Sequence, residues 1–176
     1  MVKSQKTAAR KKKLNGSTAR RLPGVPPGYH TVTPYLIVQQ AVKAIDFYKT
    51  AFGAIEVARI EYPKGSIRYA ELKIGNSKIM LTEANLERNM RSPQDLQGSP
   101  VFISLYVRDV DVMVKRAVTA GAKLLQPVEN MYYGGDRSAD LEDPYGHKWF
   151  ISTRVQRTSM AQIKKRAIEW YKKNEK

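Results

Sequence analysis

The stretch TVTPYLIVQQAVKAIDFYKTAFGA, residues 31–54, is matched about 69 positions later by VFISLYVRDVDVMVKRAVTAGA, residues 101–122. Both stretches begin with alternating apolar residues, continue with apolar residues three or four positions apart, and end in Gly-Ala. The same shift continues downstream and superimposes apolar pairs: Leu36 on Leu105, Val38 on Val107, Ala70 on Ala139 and Leu72 on Leu141. Two copies of one long unit predict a paired-module domain, because a solenoid requires three or more shorter repeats.

Within each copy, the apolar spacing predicts one strand, one helix and then three strands. The helical stripe of the first copy is Ala41, Ile45, Tyr48 and Phe52. Gly53 and Gly121 follow the two helices, where a left-handed cap is favoured. The predicted strands are 31–38, 55–61, 66–74 and 78–83, then 101–107, 124–129, 137–142 and 148–153. The predicted fold class is therefore α+β, built from two βαβββ modules.

The formal net charge of +15 is concentrated at the ends of the chain. Residues 1–30 hold eight Lys and Arg and no acid, whereas residues 31–153 hold 15 basic and 14 acidic side chains. Ser159 and Gln162 form a capping-box pattern that begins a last helix. The predicted organisation is a basic disordered tail at 1–27, a domain at 28–157 with modules 28–84 and 100–155, and a basic amphipathic helix at 158–176.

The composition excludes several classes of protein. The absence of cysteine excludes disulfides, thiolate zinc sites and cysteine nucleophiles. No apolar run approaches the ~20 residues that span a bilayer, and the N-terminal stretch lacks the apolar segment of a signal peptide. We expect a soluble cytoplasmic protein that does not insert into membranes, with nuclear or organelle targeting by the basic tail left open.

Several motifs together resemble one known superfamily. They are GYHTVTPYL at 28–36, AIDFYK and AFGA within 44–54, AEL at 70–72, AGA at 120–122 and EDPYGH at 142–147. With the βαβββ order, they resemble the vicinal oxygen chelate superfamily, which contains glyoxalase I, bleomycin- and fosfomycin-resistance proteins and extradiol dioxygenases. The resemblance is strongest to its PhnB-like branch and covers about 28–157. It implies the fold more specifically than the reaction, because this scaffold hosts many chemistries.

In enzymes of that superfamily, a divalent metal is bound by His, Gln or Glu on the first and last strands of each module. The resemblance places those positions at Thr33, Met80, Phe102 and Phe150. A borderline or hard divalent ion prefers imidazole nitrogen or carboxylate oxygen, which none of the four offers. We therefore expect no metal and no other cofactor. A divalent metal held by Glu71, Asp140 or Glu83 is the alternative.

Alternation along the strands predicts which side chains line the concave face of each sheet. The predicted ligand-binding residues are Thr33, Tyr35, Tyr69, Met80, Phe102, Ser104, Tyr106 and Phe150, with Tyr132 and Tyr133 in a glycine-rich loop. This mixture of aromatic rings and hydroxyls suits a small organic ligand. The two loop tyrosines either close over the ligand or pack against the other module.

Four polar residues are candidates for a chemical role. Glu71 and Asp140 are related by the duplication and are predicted on the concave face, as general bases, substrate anchors or substitute metal ligands. The alternative is that each pairs with Arg68, Arg137 or Lys73 or reaches solvent, which is usual for strand carboxylates. His147 is expected to have a structural hydrogen-bonded role, and His30 to be exposed.

Three functions follow from these patterns. The first is metal-free binding of a small organic molecule, as in drug-resistance members of the superfamily. The second is a metal-dependent isomerase, lyase or transferase, so whether the chain is an enzyme stays open. The third is weak, non-specific binding of nucleic acid or another polyanion by the basic ends. The resemblance also implies a homodimer, with the cleft across or beside the dimer interface.

Overall fold

The computed structural model describes residues 22–63 and 65–174. The predicted disordered tail at 1–27 therefore lies outside the described residues, except for its last six. The first module consists of β1 (Tyr35–Val38), α1 (Ala41–Phe52), β2 (Ile55–Glu61), β3 (Ile67–Ile74) and β4 (Ser77–Glu83). Its sheet has the order β1-β4-β3-β2, with β1 parallel to β4 and the other pairs antiparallel.

The second module repeats this arrangement. It consists of β5 (Phe102–Tyr106), α2 (Val110–Thr119), β6 (Lys123–Asn130), β7 (Asp136–Glu142) and β8 (Lys148–Arg154). Its sheet has the equivalent order β5-β8-β7-β6, again with one parallel pair. The predicted α+β fold with two βαβββ modules is therefore confirmed.

The glycine cap of α1 is as the sequence predicts, whereas α2 is capped by Asp109 and Ala120, neither of which was predicted from the sequence. Gly53 adopts a left-handed conformation with φ 68°, and its N–H donates to the carbonyl of Lys49. Asp109 caps α2 by accepting from the N–H of Val112 at 3.0 Å. The second helix ends at Thr119, slightly before the predicted Gly121.

Three strands, β1, β3 and β5, begin later than the alternation predicts, and β3 starts one residue late, at Ile67. The first strand starts at Tyr35 and not at residue 31, because residues 31 and 32 form a bend, and the Thr33 hydroxyl donates to the carbonyl of His30 at 3.3 Å. In the second module, Val101 lies outside β5 and is exposed, whereas we expected it to face the helices. Its carbonyl accepts from the Ser99 hydroxyl at 3.0 Å.

One hydrophobic core joins the modules on the helix side of both sheets. The buried strand residues on this side include Leu36, Val38, Ala70, Leu72, Ala139, Leu141, Trp149 and Ile151, whereas Ile103, Leu105 and Val107 are only partly buried. Helix α1 packs against α2, and the Phe52 ring lies 4.5 Å from that of Trp149. The guanidinium of Arg116 in α2 donates to the carbonyl of Ala51 in α1 at 2.7 Å. The helices therefore fix the relative position of the two sheets.

A third helix, α3 (Met160–Asn174), follows the duplicated domain. The capping box is confirmed, because Ser159 N–H donates to Gln162 Oε1 at 2.9 Å and Gln162 N–H donates to Ser159 Oγ at 3.3 Å. The helix has no fully buried residue and contacts the domain through Trp170, which stacks on Tyr132. In the described part of the chain, no helix is both long enough and apolar enough to cross a membrane.

Candidate ligand-binding cleft

A groove of about 530 Å³ lies between the free edges of β1 and β5. Its lining contains Tyr35 and Ile37 from the first module and Phe102 and Ser104 from the second. The segment that links the modules closes one end with Leu96. Three of the predicted ligand-binding residues, Tyr35, Phe102 and Ser104, line this groove, whereas Tyr69, Met80, Tyr106 and Phe150 do not.

In the first module, a row of side chains crosses the concave face. Strand register places Tyr35 opposite Met80 and Met80 opposite Glu71. The ring of Tyr69 meets that of Tyr35 edge to face, with centroids 6.2 Å apart. These four residues lie together, whereas Thr33 lies before the start of β1.

Glu71 is the centre of a hydrogen-bonded cluster. Its Oε2 accepts from Lys78 Nζ at 2.8 Å, and its Oε1 accepts from the Tyr69 hydroxyl at 2.8 Å and from the Tyr29 hydroxyl. The hydrogen bond from Lys78, followed by that from Tyr29, lowers the pKa of the Glu71 carboxyl. Burial and the hydrogen bonds with Tyr29 and Glu71 raise the pKa of Tyr69. Glu71 is therefore ionised and satisfied within its own module.

The partner of Glu71 differs from those that the sequence suggested. Its ion pair is with Lys78, and the two side chains are 14% and 15% exposed. Arg137 pairs instead with Asp111 of α2, at 2.7 Å. Lys78 and Tyr29 were missed, although alternation places Lys78 on the same face as Met80 and could have identified it.

The second module carries an equivalent row. Register places Ser104 opposite Phe150 and Phe150 opposite Asp140. Asp140 is half-buried, and burial raises the pKa of its carboxyl. Within residues 22–63 and 65–174, its carboxylate forms no hydrogen bond or ion pair. The two carboxylates that the duplication relates therefore have opposite electrostatic surroundings.

The other predicted ligand-binding residues lie at the far end of the second sheet; they are Tyr106, Tyr132 and Tyr133. The hydroxyl of Tyr106 donates to Asp136 Oδ2 at 2.9 Å, which raises the pKa of Tyr106. Tyr133 and Tyr106 border a smaller groove of about 490 Å³ beside α3. Tyr132 stacks on Trp170 of α3, with centroids 4.4 Å apart, and is not among the residues that line the groove between β1 and β5.

The donors do not fit a divalent metal at the four positions that the resemblance indicated. Thr33, Met80, Phe102 and Phe150 present a hydroxyl, a thioether and two hydrocarbon rings. In the described part of the chain, no three His, Asp or Glu side chains come together as a metal site would require. Glu83, an alternative ligand, accepts from the N–H groups of Gln40 and Ala41 at 2.7 and 2.9 Å and thereby holds the start of α1.

The two histidines lie outside the aromatic rows. Burial lowers the pKa of His147, and its Nε2 lies 3.2 Å from the carbonyl of Ile37, a link between the modules. His30 is exposed, with Nε2 3.3 Å from the carbonyl of Asn76. These positions agree with the structural role expected for His147 and the exposure expected for His30.

Comparison with known proteins gives consistent matches over the duplicated domain. A family model described as the Glyoxalase/Bleomycin resistance protein/Dioxygenase superfamily matches residues 29–151. An uncharacterized protein of Mycobacterium tuberculosis is 36% identical over 135 residues, which cover 75% of this chain and 79% of that protein.

Solved structures share the architecture. A gene product from Arabidopsis thaliana is 26% identical with a TM-score of 0.58, and the match covers 70% of this chain and 98% of that one. A fosfomycin resistance protein of Listeria monocytogenes, solved with Mn(II) and sulfate, is 18% identical with a TM-score of 0.57, over 78% and 97% of the chains. At that identity, the likeness concerns the fold alone. The family match, which spans both βαβββ modules, shows that this chain belongs to the glyoxalase/bleomycin resistance protein/dioxygenase superfamily.

Proposed function

We propose that this protein binds a small, planar and mostly apolar organic molecule in the cleft between β1 and β5, without a metal. The observation that carries the proposal is the lining itself, where the rings of Tyr35 and Phe102 and the hydroxyl of Ser104 border one groove. Apolar walls with a few hydrogen-bonding groups are typical of sites for organic ligands. Binding of this kind agrees with a PhnB-like, drug-binding type of family member.

The exposure of the concave faces supports a homodimer as the working form. Tyr35, Phe102 and Tyr106 are 49%, 47% and 62% exposed, although aromatic rings contribute strongly to cores and interfaces. A second copy laid over these faces would remove the rings from water and enclose the ligand. Light scattering coupled to size exclusion tests this point, and a monomer at micromolar concentration would contradict it.

A direct test of the cleft uses planar aromatic probes. We expect the full chain to bind some members of a panel of tricyclic dyes, measured by fluorescence titration and by a rise in melting temperature. Phe102→Ala should weaken binding about tenfold or more, because truncating a ring removes much of the apolar contact. Tyr171→Ala is the matched control, since Tyr171 is 47% exposed like Phe102 but lies on α3.

Two outcomes would contradict this function. One is a panel in which no dye raises the melting temperature or changes fluorescence. The other is equal loss of binding in Phe102→Ala and Tyr171→Ala, which would assign the dye to general surface adsorption.

The basic residues of α3, of which Arg166 alone is half-buried, favour a second candidate, weak binding of a polyanion. The helix carries Lys164, Lys165, Arg166, Lys172 and Lys173 against Glu169. Such a patch releases counterions from nucleic acid, so affinity should fall steeply with salt. Deleting residues 158–176 should reduce binding of single-stranded DNA in a gel shift, and undiminished binding would exclude α3.

A further inference from the structure

We propose that the concave face of the second module, which continues from the groove at Ser104 across Phe150 to Asp140, accepts a positive charge, so that the ligand is an aromatic or apolar molecule carrying an amine or another cation. This inference rests on the proposed function, because the same ligand would reach from the groove between β1 and β5 onto this face. It is carried by a difference between the two modules at positions that the duplication relates.

In the first module, the negative charge of the Glu71 carboxylate is already balanced by groups of the protein. Glu71 accepts from Lys78 Nζ and from the hydroxyl of Tyr69, each at 2.8 Å, and also from the hydroxyl of Tyr29. The ammonium of Lys78 also lies over the Tyr29 ring, 4.1 Å from its centroid. A ligand would have to displace one of these groups before it could reach the charge of Glu71.

In the second module, each of the three partners of Glu71 is replaced or turned away. The repeat shift relates Tyr29 to Gly98, Tyr69 to Ser138 and Lys78 to Lys148. Glycine has no hydroxyl, and the Ser138 hydroxyl lies 2.9 Å from that of Ser152. Lys148 Nζ lies over the ring of Phe102 at 5.6 Å. The side chain of aspartate is one methylene shorter than that of glutamate. Asp140 therefore forms no ion pair with Lys148, whereas Glu71 forms one with Lys78.

Asp140 is consequently a half-buried acid without a partner among the described residues, and it lies beside aromatic surface. Its register neighbour is Phe150, followed by Ser104 on the next strand. A carboxylate in such surroundings is costly unless an opposite charge or hydrogen bonds accompany it. A ligand cation would provide that charge, and aromatic faces such as Phe150 also attract cations.

The overall charge of the protein acts against this preference. A chain of net charge +15 repels cations and attracts anions through its general field. Any preference of the protein for a cationic ligand over a neutral one of the same shape therefore has to come from a local acid. This makes ring-matched probes a sharp test.

The experiment compares three probes that share one ring system: neutral acridine, cationic 9-aminoacridine and anionic acridine-9-carboxylate. Each is titrated into the full chain at pH 7.5 by fluorescence, with melting temperature as the second readout. We expect 9-aminoacridine to bind roughly five- to tenfold more tightly than acridine, and acridine-9-carboxylate to bind most weakly.

Variants assign the preference to one residue. Asp140→Asn should remove the advantage of 9-aminoacridine while leaving acridine affinity within about twofold, whereas the related Glu71→Gln should keep the advantage. Lys148→Met should increase it, because a competing cation leaves the same face. Circular dichroism and the melting temperature of each variant without probe verify that it is folded.

The outcomes separate the inference from the proposed function. If acridine binds but 9-aminoacridine gains nothing, or if Asp140→Asn keeps the gain, the cleft binds aromatic molecules and the inference is wrong. If Glu71→Gln removes the gain and Asp140→Asn does not, the cation lies in the first module and the inference is also wrong. If none of the three probes binds, the proposed function fails together with the inference.

Discussion

The hydroxyl of Tyr48 in α1 donates to the carboxylate of Asp143, in the turn before β8, at 2.7 Å, and both side chains are buried. The other donors to Asp143 are Trp149 Nε1 and the N–H groups of Tyr145 and His147. Desolvation, followed by the nearby charge of Asp143, raises the pKa of Tyr48. One buried acid therefore ties a helix of the first module to the last hairpin of the second.

Removing the Tyr48 hydroxyl should weaken the junction between the modules. We expect Tyr48→Phe to lower the free energy of unfolding by about 1–3 kcal/mol, because it leaves a buried carboxylate with one donor fewer. Urea denaturation followed by circular dichroism measures the change. Tyr35→Phe, at a half-exposed ring whose hydroxyl forms no hydrogen bond among the described residues, should change stability by less than about 0.5 kcal/mol. Equal effects of the two variants would contradict a special role for the Tyr48–Asp143 pair.

Gly146 should tolerate no side chain. It has φ 85°, and a Cβ there would lie 2.9 Å from Cβ of Pro93 in the segment between the modules. We expect Gly146→Ala to destabilise the protein by about 1 kcal/mol or more, from the left-handed conformation and the close contact together. Gly24→Ala is the control, because nothing lies within 4 Å of its Cβ position. Differential scanning calorimetry that gives both variants the same melting temperature would contradict the prediction.

The Glu71 cluster should make stability depend on pH in the acid range. The folded state lowers the pKa of Glu71, chiefly through the hydrogen bond from Lys78. The stabilisation is therefore complete above the unfolded value of about 4.3 and is lost as the pH falls through the folded value. We expect wild type to be more stable than Glu71→Gln at neutral pH, and the difference to shrink below about pH 4.

Urea midpoints measured between pH 3 and pH 7 provide the comparison for Glu71→Gln. Glu129→Gln, at an exposed position of β6, is the matched control and should keep a nearly constant difference from wild type. If the difference in stability between wild type and Glu71→Gln instead grows as the pH falls, the pH dependence has the opposite sign to the one expected. That result would refute the ion pair between Glu71 and Lys78.

Metal ions should not bind stoichiometrically at the concave faces. Thr33, Met80, Phe102 and Phe150 offer no imidazole or carboxylate, and Glu83 is engaged by the first N–H groups of α1. We expect calorimetric titration with Zn, Ni, Mn and Mg to show no tight site, and a chelator to leave the melting temperature unchanged. Tight one-to-one binding of any of these ions would show that the ligand assignment is wrong and make enzyme chemistry the leading function.

The stacking of Tyr132 on Trp170 should hold α3 against the domain. We expect Tyr132→Ala to increase acrylamide quenching of tryptophan emission, because Trp170 loses its stacking partner while Trp149 stays in the core. Tyr62→Ala, in a tyrosine distant from α3, should leave quenching as in wild type. Unchanged quenching in Tyr132→Ala would mean that other contacts fix the helix.

The sequence by itself determined the fold, because local patterns encode it. Alternation identified the buried strand residues such as Leu72 and Ile151, and helical spacing with a glycine cap identified α1. The shift of about 69 residues predicted that the second module repeats the first. Strand starts were less accurate, since the chain before β1 bends and the Thr33 side chain bonds to the carbonyl of His30 in place of strand pairing.

Tertiary structure alone decided the chemistry of each carboxylate. Glu71 and Asp140 are related by the duplication and alternation places both on concave faces, so sequence predicted the same character for both. Their difference depends on Lys78, Tyr29 and the one missing methylene, which involve distances of a few ångströms between separate strands. The physical reason is that hydrophobic pattern is a local and repeated property of the chain, whereas the partner of a charge depends on side-chain reach across strands that only folding brings together.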